Sequence, residues 1–268
     1  MFSKFPMYQN IGSLAYKKDL SNIKKISHHL GNPHKEFKSI HIAGTNGKGS
    51  CAHMLSSVLQ EKGLKVGLYT SPHLLDFRER VRINGEMISK DLVLEFILKN
   101  FNFFELNKFS FFEMTVGLAF DYFRNNNIDI AIIEAGMGGR LDSTNIICPL
   151  LSIITNISID HTKFLGTTNL EIAKEKGGII KENIPVVIGE THLETKKIFI
   201  GIAKEKNSEI VFADSFDYED FDCDLKGNYQ MRNIKTVLKS IDLLNNTGYR
   251  IENFHIKNGL KNIFSNTG

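Results

Sequence analysis

The sequence predicts an α/β protein built on a mostly parallel, doubly wound sheet. Short apolar runs of β character alternate with amphipathic helical patterns from about residue 39 onward, and this alternation is typical of parallel βαβ units. Most of these runs are too apolar to face water, which indicates strands covered by helices on both faces. A glycine-rich turn at residues 44–50 joins the first run to the next helical pattern, as in folds that bind phosphate.

The strands and helices follow one another in order along the chain. Each predicted helix carries one apolar stripe. Gly63, Gly177 and the asparagines at 125–127 stand where helices are expected to stop. The six strands are predicted at residues 39–43, 65–69, 128–133, 150–155, 185–188 and 209–212. The five helices between them are predicted at residues 50–61, 89–100, 111–125, 169–177 and 192–206.

Both ends of the chain are assigned to the same domain. Residues 1–38 are interpreted as a helical lid, with an amphipathic pattern at 19–30 that ends in a Gly-Asn-Pro turn. Residues 39–268 form the predicted phosphate-loop domain. After the last strand we expect a loop in the acidic stretch 214–224, followed by helices at 229–244 and 251–264.

Composition excludes several classes of protein. The 268 residues are 42% hydrophobic, which suffices for a packed core. The 33 Lys and Arg against 30 Asp and Glu are spread along the chain, so we expect no nucleic-acid partner. Apolar runs stay well short of the roughly 20 residues that a membrane span needs, and no signal peptide is recognised. Cys51, Cys148 and Cys223 lack disulfide or zinc spacing, so a reducing cytoplasm is expected. A monomer is also expected, although no residue pattern indicates the oligomeric state.

The turn at residues 44–50 has the composition of a phosphate loop. Glycines let backbone N–H groups curl around an anion, the following helix adds its positive N-terminal end, and Lys48 can neutralise phosphate oxygens. The run departs from the GxxxxGK[ST] pattern because Gly49 separates Lys48 from Ser50, so a tight glycine turn without a ligand is also compatible with it. The residues predicted to bind nucleotide are Thr45, Asn46, Gly47, Lys48, Gly49 and Ser50.

Two oxygen ligands are expected at the same edge of the sheet. Glu134 stands at the end of the strand 128–133, and Ser71 follows the strand 65–69. Ligands gather at the carboxyl ends of strands in open α/β sheets, and Mg²⁺ prefers oxygen ligands. Together with Lys48 these residues predict a site for ATP and Mg²⁺.

Six motifs in order along the chain carry a resemblance to a known family. They are GTNGKGS at 44–50, TSPHL at 70–74, FFE at 111–113, EAGMGGRLDSTN at 134–145, DHTKFLG at 160–166 and IAKEKGGI at 172–179. They closely resemble folylpolyglutamate synthase and dihydrofolate synthase, which belong to the Mur ligase superfamily. The resemblance implies the fold of the Mur ligase central ATPase domain. It also implies ATP-dependent joining of dihydropteroate or a folate to L-glutamate through an acyl phosphate.

The resemblance also implies roles for particular residues. Ser71 and Glu134 would hold one Mg²⁺ and His161 a second, although a lone histidine is more often structural. Lys176 would be carbamylated, which requires a neutral amine and therefore burial near cations. The implied catalytic residues are Lys48, His161 and Lys176, and Asn233 would contact ATP. For Lys174 we prefer a solvated helix position.

A pterin-binding surface is implied on two further motifs. An aromatic ring and a carboxylate suit a flat, amide-like pterin. The residues implied are Phe112, Glu113, Leu141, Asp142 and Ser143. The other phenylalanines between 101 and 109 are expected in the core. Arg140 is either an anion contact or a loop anchor.

The relatives continue into a second, smaller C-terminal domain, which we expect to be missing here. That absence predicts weak Mg-ATP binding with little or no ligation, because closure over the site would be lost. Another Mur-type amide ligase would keep Lys48, Glu134, His161 and Lys176 but would not require the pterin motifs. The sequence also leaves open a phosphate-loop kinase or switch, and a non-catalytic nucleotide-binding remnant. The choice between dihydropteroate and folates stays open.

Overall fold

A computed structural model describes residues 19–268 of the chain. These residues contain one eight-stranded sheet in the order β4-β3-β2-β5-β1-β6-β7-β8. The strands are β1 Lys38–Ala43, β2 Val66–Tyr69, β3 Val81–Ile83, β4 Glu86–Met87, β5 Ile130–Glu134, β6 Leu151–Ile154, β7 Val186–Ile188 and β8 Ile210–Phe212.

Six of the strands are parallel, and each lies within two residues of its predicted position. β1 pairs with β5 and with β6, and β2 pairs with β5, all in parallel. In the register of the central pair Ile42 lies beside Glu134, so the two strands end at the same edge. The predicted mostly parallel, doubly wound sheet is confirmed.

The antiparallel edge formed by β3 and β4 was not predicted. β3 has three residues and β4 has two, and strands this short do not show a detectable alternation of apolar and polar residues. The turn between them is Asn84-Gly85, with φ of 47° and 81°. Positive φ at both positions is what a two-residue hairpin turn of type I′ requires, so the Asn-Gly pair was the available signal.

Helices cover both faces of the sheet. Alternate residues of β5 point to opposite sides, so that Ile130 and Ile132 lie in one core cluster while Ala131 and Ile133 lie in another. The helices are α1 Ser21–His29, α2 Lys48–Glu61, α3 Lys90–Asn107, α4 Phe111–Asn125, α5 Thr162–Leu165, α6 Asn169–Gly177, α7 Leu193–Glu205, α8 Gln230–Asn246, α9 Asn253–Lys261 and α10 Ile263–Thr267.

Two helix predictions need correction. α3 runs to Asn107 instead of ending at residue 100, because Phe104 on its last turns is completely buried and extends the apolar stripe. The pattern at 251–264 forms two helices, α9 and α10, that meet at Asn262. Phe109 is fully buried as expected, whereas Phe101 and Phe103 are half-buried.

The predicted N-terminal lid is described only in part. α1 lies within the predicted 19–30 pattern, and Ile23 and Ile26 are buried. A Cβ on Gly117 of α4 would come within 2.6 Å of Ile26, so the two helices touch closely. Residues 1–18 lie outside the described residues. No helix within 19–268 is long and apolar enough to cross a membrane.

Candidate functional site

The loops after the central strands meet at one edge of the sheet. The glycine loop follows β1, Ser71 follows β2, Glu134 ends β5 and residues 155–158 follow β6. These strands are parallel neighbours, so their carboxyl ends lie side by side. The structure therefore brings Lys48, Ser71 and Glu134 together, as the sequence indicated.

The glycine loop has backbone angles that side chains resist. Gly44 has φ of 151°, and a Cβ there would lie 1.8 Å from Thr155 Oγ1. Gly47 has φ of 80° and is the N-cap of α2, where it offers no side chain to the first N–H groups of the helix. A Cβ on Gly47 would lie 2.3 Å from Asn233 Oδ1. Glycine at both positions thus permits a tight loop that leads into an uncapped helix N-terminus.

Residues 155–158 hold the glycine loop in place. Thr45 N–H donates to the Asn156 carbonyl at 3.0 Å, and Asn46 N–H donates to Asn156 Oδ1 at 2.8 Å. Thr45 Oγ1 lies 3.1 Å from both the carbonyl oxygen and the amide nitrogen of Ser158. Thr155 Oγ1 donates to the Asn46 carbonyl at 2.6 Å. The loop is therefore braced by the segment that follows the neighbouring strand β6.

Lys48 and Glu134 form a partly buried pair above the loop. Lys48 Nζ donates to the carbonyls of Gly44 and Thr45 at 3.1 Å each, and lies 4.0 Å from Glu134 Oε1. The backbone N–H of Ser71 donates to Glu134 Oε2 at 3.3 Å. Both carboxylate oxygens of Glu134 thus face positive or N–H partners at long range.

Glu134 is a buried carboxylate whose polar partners do not fully replace the water that it loses on burial. It is only 5% exposed. Burial raises the pKa of Glu134 to about 7, although Lys48 and the Ser71 N–H act in the opposite direction. A buried carboxylate of this kind is stabilised by a nearby cation. The residues present therefore fit a divalent metal ion with oxygen ligands.

Lys176 reaches the same loop from α6. Its Nζ donates to the Gly44 carbonyl at 2.7 Å, so one carbonyl oxygen accepts from both Lys48 and Lys176. Lys176 is 3% exposed. Burial lowers the pKa of Lys176 to about 7, and the positive charge of Lys48 adds to the effect. Lys174 is exposed, as preferred from the sequence.

His161 lies on the segment after β6, and its side chain contacts Asp160 instead of Glu134. It has φ of 48° and precedes the short helix α5. Its side chain is 45% exposed, and Nε2 lies 3.5 Å from Asp160 Oδ2. Within residues 19–268 no cluster of three or more His, Cys, Asp or Glu side chains has metal-binding geometry. The metal-ligand set of Ser71, Glu134 and His161 stays a prediction.

The loop after β5 surrounds a second buried carboxylate, Asp142. It is 4% exposed, and burial raises its pKa. Asp142 accepts from Met137 N at 2.9 Å, from Thr144 N at 3.0 Å and from Thr144 Oγ1 at 2.5 Å. Phe112 lies against this loop, because a Cβ on Gly136 would come within 2.5 Å of its ring. Leu141 and Ser143 flank Asp142 and are half-buried.

Glu113 caps the start of α4. Its Oε2 accepts from Ser110 N at 2.7 Å and from Asn22 Nδ2 at 3.1 Å. Ser110 Oγ accepts in return from Glu113 N, which completes a capping box at the start of α4. Its substrate role stays a prediction.

Asn233 borders the glycine loop from α8. Its Nδ2 donates to Gln230 Oε1 at 2.7 Å, and Gln230 Nε2 donates to Ser50 Oγ at 3.3 Å. The predicted nucleotide residues Ser50 and Asn233 are therefore linked through Gln230, although they are far apart in sequence.

Known proteins match both this sequence and this fold. The Mur ligase middle domain matches residues 42–257. The chain belongs to the Mur ligase family. The chain is 37% identical over 269 residues to a probable dihydrofolate synthetase of Schizosaccharomyces pombe, covering 91% of this chain and 63% of that protein. The apo form of L. casei folylpolyglutamate synthase superimposes with a TM-score of 0.89 at 32% identity, covering 98% of this chain and 70% of that one.

A second solved structure shows the same likeness. It is a complex of folylpolyglutamate synthase with AMPPCP and folate, with a TM-score of 0.89 and 32% identity over 98% of this chain and 70% of that one. The chain spans about 63% of the length of its fission-yeast relative.

One buried arginine near the site, Arg80, was not predicted from the sequence. Arg80 is 7% exposed, its Nε donates to His73 Nδ1 at 2.8 Å, and its guanidinium lies 5.5 Å from the centre of the Phe111 ring. His73 precedes Arg80 in the same segment between β2 and β3, whereas Phe111 begins α4, so the burial of Arg80 depends on a contact that is distant in sequence.

Proposed function

We propose that this chain is the nucleotide- and pterin-binding part of an ATP-dependent ligase that joins L-glutamate to dihydropteroate, to folates, or to both. The observation that carries the proposal is the buried Glu134, placed beside Lys48 and the Ser71 N–H at the mouth of a glycine loop. The relatives named above support the reaction: one is a probable dihydrofolate synthetase, and another was solved with an ATP analogue and folate.

The reaction needs two anions to meet. A carboxylate becomes a good acyl donor when its oxygen is phosphorylated, so the triphosphate of ATP and the substrate carboxylate must approach each other. In our proposal the N–H groups at the start of α2 receive phosphate oxygens, and Lys48 neutralises them. The other predicted nucleotide contacts are Thr45, Asn46, Gly47, Gly49, Ser50 and Asn233. The amine of glutamate then displaces phosphate from the acyl phosphate, and an amide bond forms.

Magnesium would be held by Glu134 and Ser71, with His161 at a second ion. Its chemistry there is to neutralise phosphate charge and to orient the oxygens. The chain's own part is to keep Glu134 desolvated and fixed from two sides, by Lys48 and by the Ser71 N–H.

Lys176 has the environment that a lysine carbamate needs. A neutral amine attacks carbon dioxide, a C–N bond forms and a proton is released. The pKa of Lys176, lowered to about 7, leaves much of the amine neutral near that pH. Lys48 donates to the same carbonyl oxygen, so a negative carbamate would replace repulsion between two cations by attraction.

We place the pterin ring against Phe112 and the loop 136–142, with Glu113, Leu141, Asp142 and Ser143 as its polar and apolar contacts. Phe112 is half-buried and already packs on Gly136, so it offers a fixed aromatic surface. A carboxylate such as Asp142 can accept hydrogen bonds from a pterin amide and amine.

Calorimetry with AMPPCP and Mg²⁺ tests the nucleotide site. Lys48→Met should weaken binding of the analogue at least about tenfold, which corresponds to loss of one charge-assisted contact. Lys62→Met is the matched control, because Lys62 is the C-cap at the far end of the same helix. Heat equal to buffer dilution for the unmodified chain would refute the nucleotide site.

A phosphate-release assay tests the ligase reaction. We expect little release from this chain. Whatever release occurs should require dihydropteroate or a folate together with L-glutamate, and it should fall in Lys176→Met but not in Lys174→Met on the exposed face of α6. Nucleotide binding without any response to pterin substrates would favour another Mur-type ligase or a non-catalytic nucleotide-binding protein.

A further inference from the structure

His41 is a buried side chain that the proposed reaction does not use. It lies in the middle of β1 and is 0% exposed. Its Nε2 lies 2.9 Å from Thr144 Oγ1, while Nδ1 has no hydrogen-bond partner among the described residues. Burial lowers the pKa of His41 to about 3, so the ring is neutral at pH 7 and carries a single N–H.

The hydrogen bonds of Thr144 fix which nitrogen carries that proton. Thr144 Oγ1 lies 2.5 Å from Asp142 Oδ1, and the same carboxylate accepts from Met137 N and Thr144 N. The hydroxyl has one proton, which it donates to the carboxylate. It must then accept from His41, and this requires the proton on Nε2. Nδ1 then carries a lone pair without a hydrogen-bond donor, and no N–H group of the ring is left without an acceptor.

We propose that His41 is a positioning residue for the pterin surface: its Nε2–H donates to Thr144 Oγ1, which turns the hydroxyl proton toward Asp142 and fixes that carboxylate. Asp142 in turn holds the N–H groups of Met137 and Thr144, so its position sets the loop on which Phe112 packs. The effect on substrate rests on the proposed function, whereas the order of hydrogen bonds does not.

Nitrogen-15 NMR of the histidine side chains tests the hydrogen-bond order directly. We expect His41 in the tautomer with protonated Nε2 and bare Nδ1 across the neutral pH range. In His41→Leu the amide signals of Met137 and Thr144 should shift, and His41→Gln should restore them because its side-chain amide can donate from a similar place. A proton on Nδ1, or unchanged amide signals in His41→Leu, overturns the proposal whatever the ligand.

Binding measurements test the consequence for substrate. With AMPPCP present, Thr144→Val should raise the dissociation constant for dihydropteroate about tenfold and leave that for AMPPCP within about twofold. Thr144→Ser, which keeps the hydroxyl, should bind nearly as well as the unmodified chain. A Thr144→Val variant that binds dihydropteroate normally refutes the positioning role.

The fold offers a matched control for a lost threonine hydroxyl. His53 Nδ1 lies 2.7 Å from Thr267 Oγ1, which donates to the Ile263 carbonyl at 2.7 Å. Thr267→Val removes the same kind of bond away from Asp142, so it should lower the melting temperature without changing affinity for dihydropteroate. An equal loss of affinity in Thr267→Val would assign the effect to general destabilisation and overturn the proposal. If the unmodified chain binds no pterin substrate while the NMR result holds, the proposed function fails and the hydrogen-bond order stands.

Discussion

Replacing Glu134 by glutamine should make the free protein more stable and the nucleotide complex weaker. Burial holds the pKa of Glu134 at about 7 rather than its ordinary 4.5. A raised carboxyl pKa means that the folded state binds more protons between these two values, so stability is lost as the pH rises from 4.5 through 7. Above pH 7 the ionised side chain lowers the free energy of unfolding by about 3 kcal/mol relative to a neutral side chain. At pH 5 it lowers the free energy of unfolding by less than about 1 kcal/mol.

Thermal unfolding of Glu134→Gln at two pH values checks this magnitude. The glutamine Oε1 can still accept from Ser71 N–H, so the neutral side chain keeps part of the existing bonding. We expect the melting temperature at pH 8 to rise by about 5 °C or more, using 2–4 °C per kcal/mol for a domain of this size. At pH 5 the gain should be about 3 °C or less. Calorimetry should show weaker binding of Mg-AMPPCP by the same variant, because a metal ligand is removed.

Glu113→Gln is the matched control for a buried carboxylate. Glu113 is 6% exposed, but two N–H groups donate to it and it caps α4. Its replacement should lower the melting temperature, by loss of charge-assisted bonds worth about 1 kcal/mol or more. If Glu134→Gln melts at or below the melting temperature of the unmodified chain at pH 8, then the buried, ionised Glu134 does not destabilise the fold.

Three further outcomes are expected. Gly44→Ala should lower the free energy of unfolding by about 3 kcal/mol or more, because the new Cβ would overlap Thr155 and the residue has a positive φ. In Gly201→Ala, in α7, the new Cβ meets nothing within 4 Å, so this variant should gain about 0.5–1 kcal/mol in the free energy of unfolding. Urea unfolding curves compare the two variants. Cys51 should react with a thiol reagent only on unfolding and exposed Cys148 at once, since burial raises the pKa of the Cys51 thiol; mass spectrometry locates the label. Lys176→Met should raise the melting temperature at pH 6 and much less at pH 10, because the folded state loses the lysine proton near pH 7 and the unfolded state only near 10.5; equal gains would contradict the lowered pKa of Lys176.

The parallel part of the fold was predictable because its signals are local. Each central strand is an apolar run that ends in a glycine or a polar residue, and each helix between them carries its own stripe. The β3–β4 hairpin was missed because its strands are too short for periodicity, although Asn84-Gly85 marks its turn. The end of α3 was misplaced because Phe104, on its last turns, is buried by tertiary contacts, which a stop signal in the sequence does not report.

Parts of the candidate site were predictable for a different reason. Parallel strands end at a common edge, so placing Glu134 and Ser71 at strand ends was enough to bring them together. The contact of Lys176 with Gly44 spans 132 positions and depends on how α6 packs, so no spacing rule reaches it. Glu113 shows the opposite case, since Ser110 and Glu113 form a capping-box pattern that was visible in the sequence.

The bracing of the glycine loop by residues 155–158 has a mechanical consequence. Thr45 and Asn46 are tied to Asn156 and Ser158 through both backbone and side-chain bonds. Any displacement of the loop by an incoming anion must pull on that neighbouring segment, and His161 lies only three residues further along. The two loops should accordingly slow their amide hydrogen exchange in concert when a triphosphate is added.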